Sequence, residues 1–211
     1  EIDGFGATFN EAGMICLNSL NSYAQENVLR MLFDPDSGAG YTAMKSPIAA
    51  CDFASAGPWY TYDDTPGDTI LKHFSIKRDL GPNGLVTFIK NALKYGSFKI
   101  ESPMDFAPDW MYLSLEKGKR HLKPEYYNSL AKYYVKYVKA YAANRITINY
   151  LDLFNESGVY SEIPYKVIGE LIKNHVGPLF QKEGLNTKIQ LGETPNSLQT
   201  LTEYPPLLED R

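Results

Sequence analysis

Tyr150-Leu151-Asp152-Leu153-Phe154-Asn155-Glu156-Ser157 is an apolar run that ends abruptly in an amide, a carboxylate and a hydroxyl. Its alternation is weak and its length short, which is the pattern of a strand buried on both faces whose last residues emerge at one end of a sheet. Asn155 and Glu156 then sit at the C-terminal edge of that strand, the edge where α/β barrels carry their chemistry. The alternative from this stretch alone is a solvated loop carboxylate.

The rest of the chain supplies the sheet. Ile2 to Ala12 is short, apolar and punctuated by glycine, which predicts a first strand with close backbone approaches, followed by a turn. Ser22 and Gln25 have capping-box spacing and open a helix whose stripe is Val28, Leu29, Leu32 and Phe33. A second strand is expected from about Tyr41 to Ala50, ending in Cys51-Asp52-Phe53. Ala54 to Asp68 reads as a long polar loop, in which Tyr62, Asp63 and Asp64 suit turns. A helix over Gly84–Tyr95, a strand over Phe98–Ser102 and a helix starting at Pro124 follow. On that last helix Tyr127, Leu130, Ala131, Tyr134, Val138 and Tyr141 face inward, and Lys119, Lys123, Lys132, Lys136 and Lys139 read as a solvated face. After the opening stretch come a helix from about Pro164 to Glu183, kinked at Gly177-Pro178, and a fifth strand at Lys188–Leu191. Strand and helix alternate throughout, so the expected class is α/β with a parallel sheet, built from βα units.

Bulk properties exclude several functions. The 211 residues carry a formal net charge of −4 with a pI near 5.4, and no Lys/Arg run tracks a phosphate backbone, so nucleic acid is not an expected partner. Cys16 and Cys51 lack CxxC spacing and nearby His pairs; two buried free thiols are expected, with neither a zinc site nor a disulfide framework. No apolar segment approaches the ~20 residues of a membrane span. Aromatic residues make up 13% of the chain, and their faces suit a core or a sugar ring equally.

Several polar or aromatic residues follow predicted strands: Asp52, Trp110, the Asn155-Glu156 pair and Glu193. In a barrel these loops share one rim and converge on one pocket. An acid beside an amide and an aromatic platform suits glycoside hydrolysis, in which the acid protonates the leaving oxygen and a second carboxylate about 5–5.5 Å away acts as nucleophile in a retaining enzyme. Many barrels place acids at this rim, so spacing alone does not decide the chemistry.

Five stretches, in order, sharpen the reading. GFGATFNEAG, LFDPDSGAGY with SPIAACDF, YTYDDTPGDTILKHFSI, SPMDFAPDWM and FNES together resemble glycoside hydrolase family 30, the glucosylceramidase-like group. The resemblance implies a (β/α)8 barrel that hydrolyses β-glycosides with retention, and no metal or organic cofactor. It implies Glu156 as general acid/base, Asn155 on the sugar 2-hydroxyl, Asp52 on outer hydroxyls and Trp110 lining the same subsite. The family's nucleophile, a Glu on the seventh strand, has no counterpart here. Residues 1–211 thus read as an incomplete barrel of about five strands, without strands six to eight or the accessory β-sandwich. Glu193 follows the strand next to the Glu156 strand, not one across the pocket, and is not assigned as a substitute.

The chain also departs from the family. Lys45 stands where the family has Arg, Met104 and Ala107 where it has Trp and Pro, and Ser157 where a Pro follows the acid. Substrate identity is therefore open between glucosylceramide-like glucosides and a β-1,6-glucan, xylan or galactan, with a non-catalytic sugar-binding fragment as the other class. An open five-stranded barrel predicts self-association or a complementing chain that covers its edges. The expected location is secreted or periplasmic, any signal peptide having been removed.

Overall fold

The computed structural model describes residues 2–49, 51–54, 60–116, 119–157 and 162–191. Ala50, part of the loop after it, and Glu193 with its surrounding loop lie outside the described residues. The sheet has four parallel strands in sequence order, β1 (Ala43–Lys45), β2 (Lys99–Pro103), β3 (Tyr150–Asp152) and β4 (Lys188–Gln190). Register runs straight across it: Lys45 stands opposite Glu101, Glu101 opposite Tyr150, and Tyr150 opposite Lys188. Helices connect the strands, as the βα alternation requires.

The first predicted strand is an extended segment beside β1. It closes one parallel bridge, Thr8 to Lys45, with further bonds from Thr42 N to Phe5 O and Phe9 N to Lys45 O. Gly6 is obligatory there, because a Cβ on it would stand 1.6 Å from the Ala43 carbonyl oxygen. The turn expected next is instead a helix, α1 (Glu11–Asn18), whose start is made by Asn10 Oδ1 accepting the Gly13 N–H. The short-range glycine signal hid it, since Gly13 sits inside the first turn.

Helix α2 (Ser22–Phe33) is capped by Asn21, not Ser22: Asn21 Oδ1 accepts the Ala24 N–H, and Gln25 reaches back to the Leu20 carbonyl. An amide one residue earlier does the work assigned to the hydroxyl. Strand β1 is also shorter than expected, because Ser46 onward bends away; even so Ser46 N and Ile48 N still donate to Glu101 O and Pro103 O.

Helix α3 (Leu85–Ala92) begins after Gly84 as expected. Helix α4 (Tyr127–Ala143), entered through a 3₁₀ turn at Pro124–Tyr126, buries every residue of the predicted stripe, and also Tyr133 and Tyr137. Its lysines are not simply solvated. Lys136 donates to Leu71 O at 2.6 Å and lies over the Phe74 ring, Lys139 pairs with Glu183, and Lys123 donates to Trp110 O. The Pro164–Glu183 helix is divided into α5 (Tyr165–Glu170), a π-helical stretch Leu171–Val176 and α6 (Gly177–Lys182). The irregularity thus precedes the predicted Gly-Pro kink, and the π geometry widens the helix before Pro178. Of the thiols, Cys51 is buried but Cys16 is exposed, contrary to expectation, because α1 turns it outward.

A buried polar network holds the loop after β1. Asp79, fully buried, accepts from Tyr62 (2.5 Å), Tyr141 (2.7 Å) and Tyr60 (3.0 Å). Tyr62 in turn accepts the Ala49 N–H at 2.9 Å, and its own N–H donates to Tyr133. Burial raises the Asp79 carboxyl above the ordinary carboxylate range, against three phenol donors that favour its ionised form. Tyr62 is therefore a core hub. Asp64 is the turn former, accepting from the Thr61 N–H and hydroxyl.

Candidate active site

Three neighbouring strands end at the same edge, and their next residues form one cleft. Lys45 closes β1, Asp105 follows β2 by two residues, and Asn155 and Glu156 follow β3 by three and four. Hydrogen bonds beyond the regular ladders fix these tails, with Ile48 N on Pro103 O and Asn155 N on Met104 O, both at 2.8 Å. Tyr134 of α4 pins the same rim by donating to Leu153 O at 2.6 Å.

The cleft has a volume of about 240 Å³ and is lined by Lys45, Asp52, Phe53, Asp105, Asn155 and Glu156, with Thr8, Pro47, Cys51 and Pro103 completing the wall. Asp52, Asn155 and Glu156 are thus brought together from two loops. Trp110 is not among the lining residues. It lies in a 3₁₀ turn, Asp109–Met111, donates its indole N–H to Asp63 O at 2.9 Å and packs edge-on against Tyr126. Among the described residues, Phe53, 59% exposed, is the aromatic side chain that lines the cleft.

Lys45 Nζ donates to Asn155 Oδ1 at 3.1 Å. That bond fixes the amide's orientation, leaving the Asn155 NH₂ as the group able to donate elsewhere. Glu156 holds an unusual backbone, φ +40°, in the left-handed region that non-glycine residues enter at a cost. Ser157, buried next to it, donates its hydroxyl to Ile163 O.

Asp105 was not singled out by sequence, although the rule that selected Asp52, a polar residue just past a strand, also selects it. It is 3% exposed, and its Oδ2 accepts the Asp52 N–H at 3.3 Å. Burial holds its carboxyl up at about 6; the Asp52 and Glu156 carboxylates push the same way, while the Asp52 N–H and the Lys45 ammonium pull it down. Cys51 Sγ and one oxygen each of Asp52 and Asp105 lie within 4.8 Å of one another. Burial pushes the Cys51 thiol up to about 11.

Comparison with known proteins bears on the family and the fold. The chain is 32% identical over 200 residues to an endo-1,6-β-D-glucanase of Neurospora crassa, and 27% identical over 206 residues to the lysosomal acid glucosylceramidase of Mus musculus. Those alignments cover 89% and 90% of this chain but only 41% and 39% of the relatives, so the chain spans about two fifths of their length. Among solved structures, an endo-β1,6-glucanase superposes with a TM-score of 0.85 at 24% identity, over 99% of this chain and 49% of that one. The catalytic domain of xylanase C from Talaromyces cellulolyticus gives 0.80 at 22%, over 99% and 50%. These two share the fold. The model of the glycosyl hydrolase family 30 TIM-barrel domain matches residues 2–189, and the chain belongs to that family.

Proposed function

We propose that this chain carries the acid/base half of a retaining β-glycosidase site, with Glu156 as general acid/base. The observation that supports it best is the meeting of Glu156, Asn155 and Asp52 in one small cleft at the C-terminal strand ends. In the double displacement, Glu156 protonates the glycosidic oxygen as a second carboxylate, which none of the described residues is assigned to supply, attacks the anomeric carbon. Glu156 then takes a proton from the water that releases the sugar from that carboxylate. The Asn155 NH₂, aligned through Lys45, donates to the sugar 2-hydroxyl, and Asp52 accepts from outer hydroxyls. Phe53 offers the ring an aromatic face, while Trp110 is engaged with the Asp63 carbonyl.

For the substrate, a β-1,6-linked glucan ranks ahead of glucosylceramide, because the glucanase of Neurospora crassa is the nearer of the two relatives in identity. A polymeric glucan would place the protein outside the cytoplasm. The sheet formed by the described residues is open, and we propose that further strands cover its edges, from another copy or another chain segment. A sharp monomer peak in size-exclusion chromatography with cooperative unfolding removes that part.

The test of the main reading is hydrolysis of an aryl β-glucoside, then of β-1,6-glucan against glucosylceramide. Glu156→Gln lowers turnover by about 10²–10⁴-fold if the assignment holds, and a variant as active as the wild type removes Glu156 from it. A protein that binds the glucoside without hydrolysing it supports a non-catalytic sugar-binding role instead.

A further inference from the structure

Asp105 is the third carboxyl of the cleft, and the resemblance assigns it no part. It differs from the other two in burial: Asp52 is exposed and Glu156 half-buried, whereas Asp105 lies 3% exposed on the cleft floor. A desolvated carboxyl takes its hydrogen bonds from the protein or from whatever fills the cleft. A pyranose suits that position, since it brings several hydroxyl donors and no charge.

The charge of the cleft narrows the ligand further. Among the described residues the cleft is lined by side chains from three neighbouring strand ends. Among the described lining residues the carboxyls are Asp52, Asp105 and Glu156, and the one cation is Lys45, whose ammonium is engaged with the Asn155 amide. A uronic acid here would bring a fourth carboxylate beside three others, one of which, Asp105, is desolvated, and like charges repel.

Resting on the reading of this cleft as a sugar site, we propose that Asp105 is a specificity-determining residue: it accepts hydroxyls of an uncharged pyranose and rejects uronic acid residues. No proton transfer in hydrolysis is assigned to it. Lying past β2, it is one element removed from Glu156, and its effect is on which ring enters.

The experiment titrates the full chain with methyl β-glucoside and, separately, methyl β-glucuronide, followed by protein NMR shifts at pH 7.5. The expected result is a glucoside affinity at least about tenfold above that for the glucuronide, a gap that Asp105→Asn narrows to about threefold or less by improving glucuronide binding. Asparagine keeps the shape and the acceptor for the Asp52 N–H, so the variant alters charge with least disturbance to the fold. An unchanged gap in Asp105→Asn, or equal affinities in the wild type, overturns the proposal. If the wild type binds neither probe and hydrolyses no aryl β-glucoside, the sugar-site reading fails and takes this proposal with it. If glucoside binding and Glu156-dependent hydrolysis persist with the gap unchanged in Asp105→Asn, only Asp105 is removed.

Discussion

Lys45 and Asn155, 110 residues apart in sequence, meet at 3.1 Å, with the ammonium donating to the amide oxygen next to Glu156. An ammonium gives a single point donor where a guanidinium would present a planar fork. Lys45→Met leaves the Asn155 amide free to rotate. A bond to a charged donor contributes about 1.5–3 kcal/mol, so methyl β-glucoside binding falls by about tenfold or more. Lys45→Gln retains more of the affinity than Lys45→Met. NMR titration of the three proteins checks the order.

Glu156 combines a proposed chemical role with a strained backbone at φ +40°. Glu156→Gln lowers aryl β-glucoside turnover by about 10²–10⁴-fold, the range for loss of one general acid/base. Glu156→Gly is equally inactive, yet unfolds at the same or a higher denaturant concentration, because glycine adopts this φ without strain of about 1 kcal/mol or more. Urea titration of wild type and both variants tests this; a glycine variant clearly less stable than Glu156→Gln sinks the strain argument.

The Tyr62 hydroxyl donates to Asp79 and accepts from Ala49, so its removal leaves two buried partners short at once. Tyr62→Phe is therefore expected to cost about 2–4 kcal/mol, more than the ~1 kcal/mol of an average hydrogen bond. Tyr60→Phe, at the longest of the three bonds to Asp79, costs less. Denaturant midpoints at constant slope give both numbers.

The Asp105 carboxyl stands at about 6, above an ordinary carboxylate near 3.8. The folded protein therefore binds more protons than the unfolded chain between those values, and stability falls as pH rises through about 4 to 6. The contribution is present below about pH 4 and lost above about 6, by at most about 3 kcal/mol for a shift of roughly two units. Asp105→Asn removes this slope and is the more stable protein at pH 7. Melting temperatures of both proteins from pH 4 to 7.5 decide it: parallel curves contradict the assignment.

Much of this architecture was legible in the sequence because its signals are local. Apolar runs, helical stripes and glycine or proline punctuation depend on near neighbours, and they placed β1 to β4 and the α3 and α4 helices in order. They also placed Asp52, Asn155 and Glu156 after strands, and so on one rim. Local signals failed where two candidates compete within a turn, as at Asn21 against Ser22, and where a helix begins on a Gly-rich start, as at α1.

What the sequence determined by itself is that Asn155-Glu156 follows a buried parallel strand within a family 30 barrel domain. Only the tertiary structure decided which side chains share the cleft with it. Asp105 and Phe53 entered and Trp110 did not, because a side chain's direction is set by long-range bonds: the Asp63 carbonyl holds Trp110, and the Asp52 N–H holds Asp105. The pairing of Lys45 with Asn155 likewise exists only through the strand register that sets β1, β2 and β3 side by side. Register and burial are properties of the assembled sheet, and no residue carries them alone.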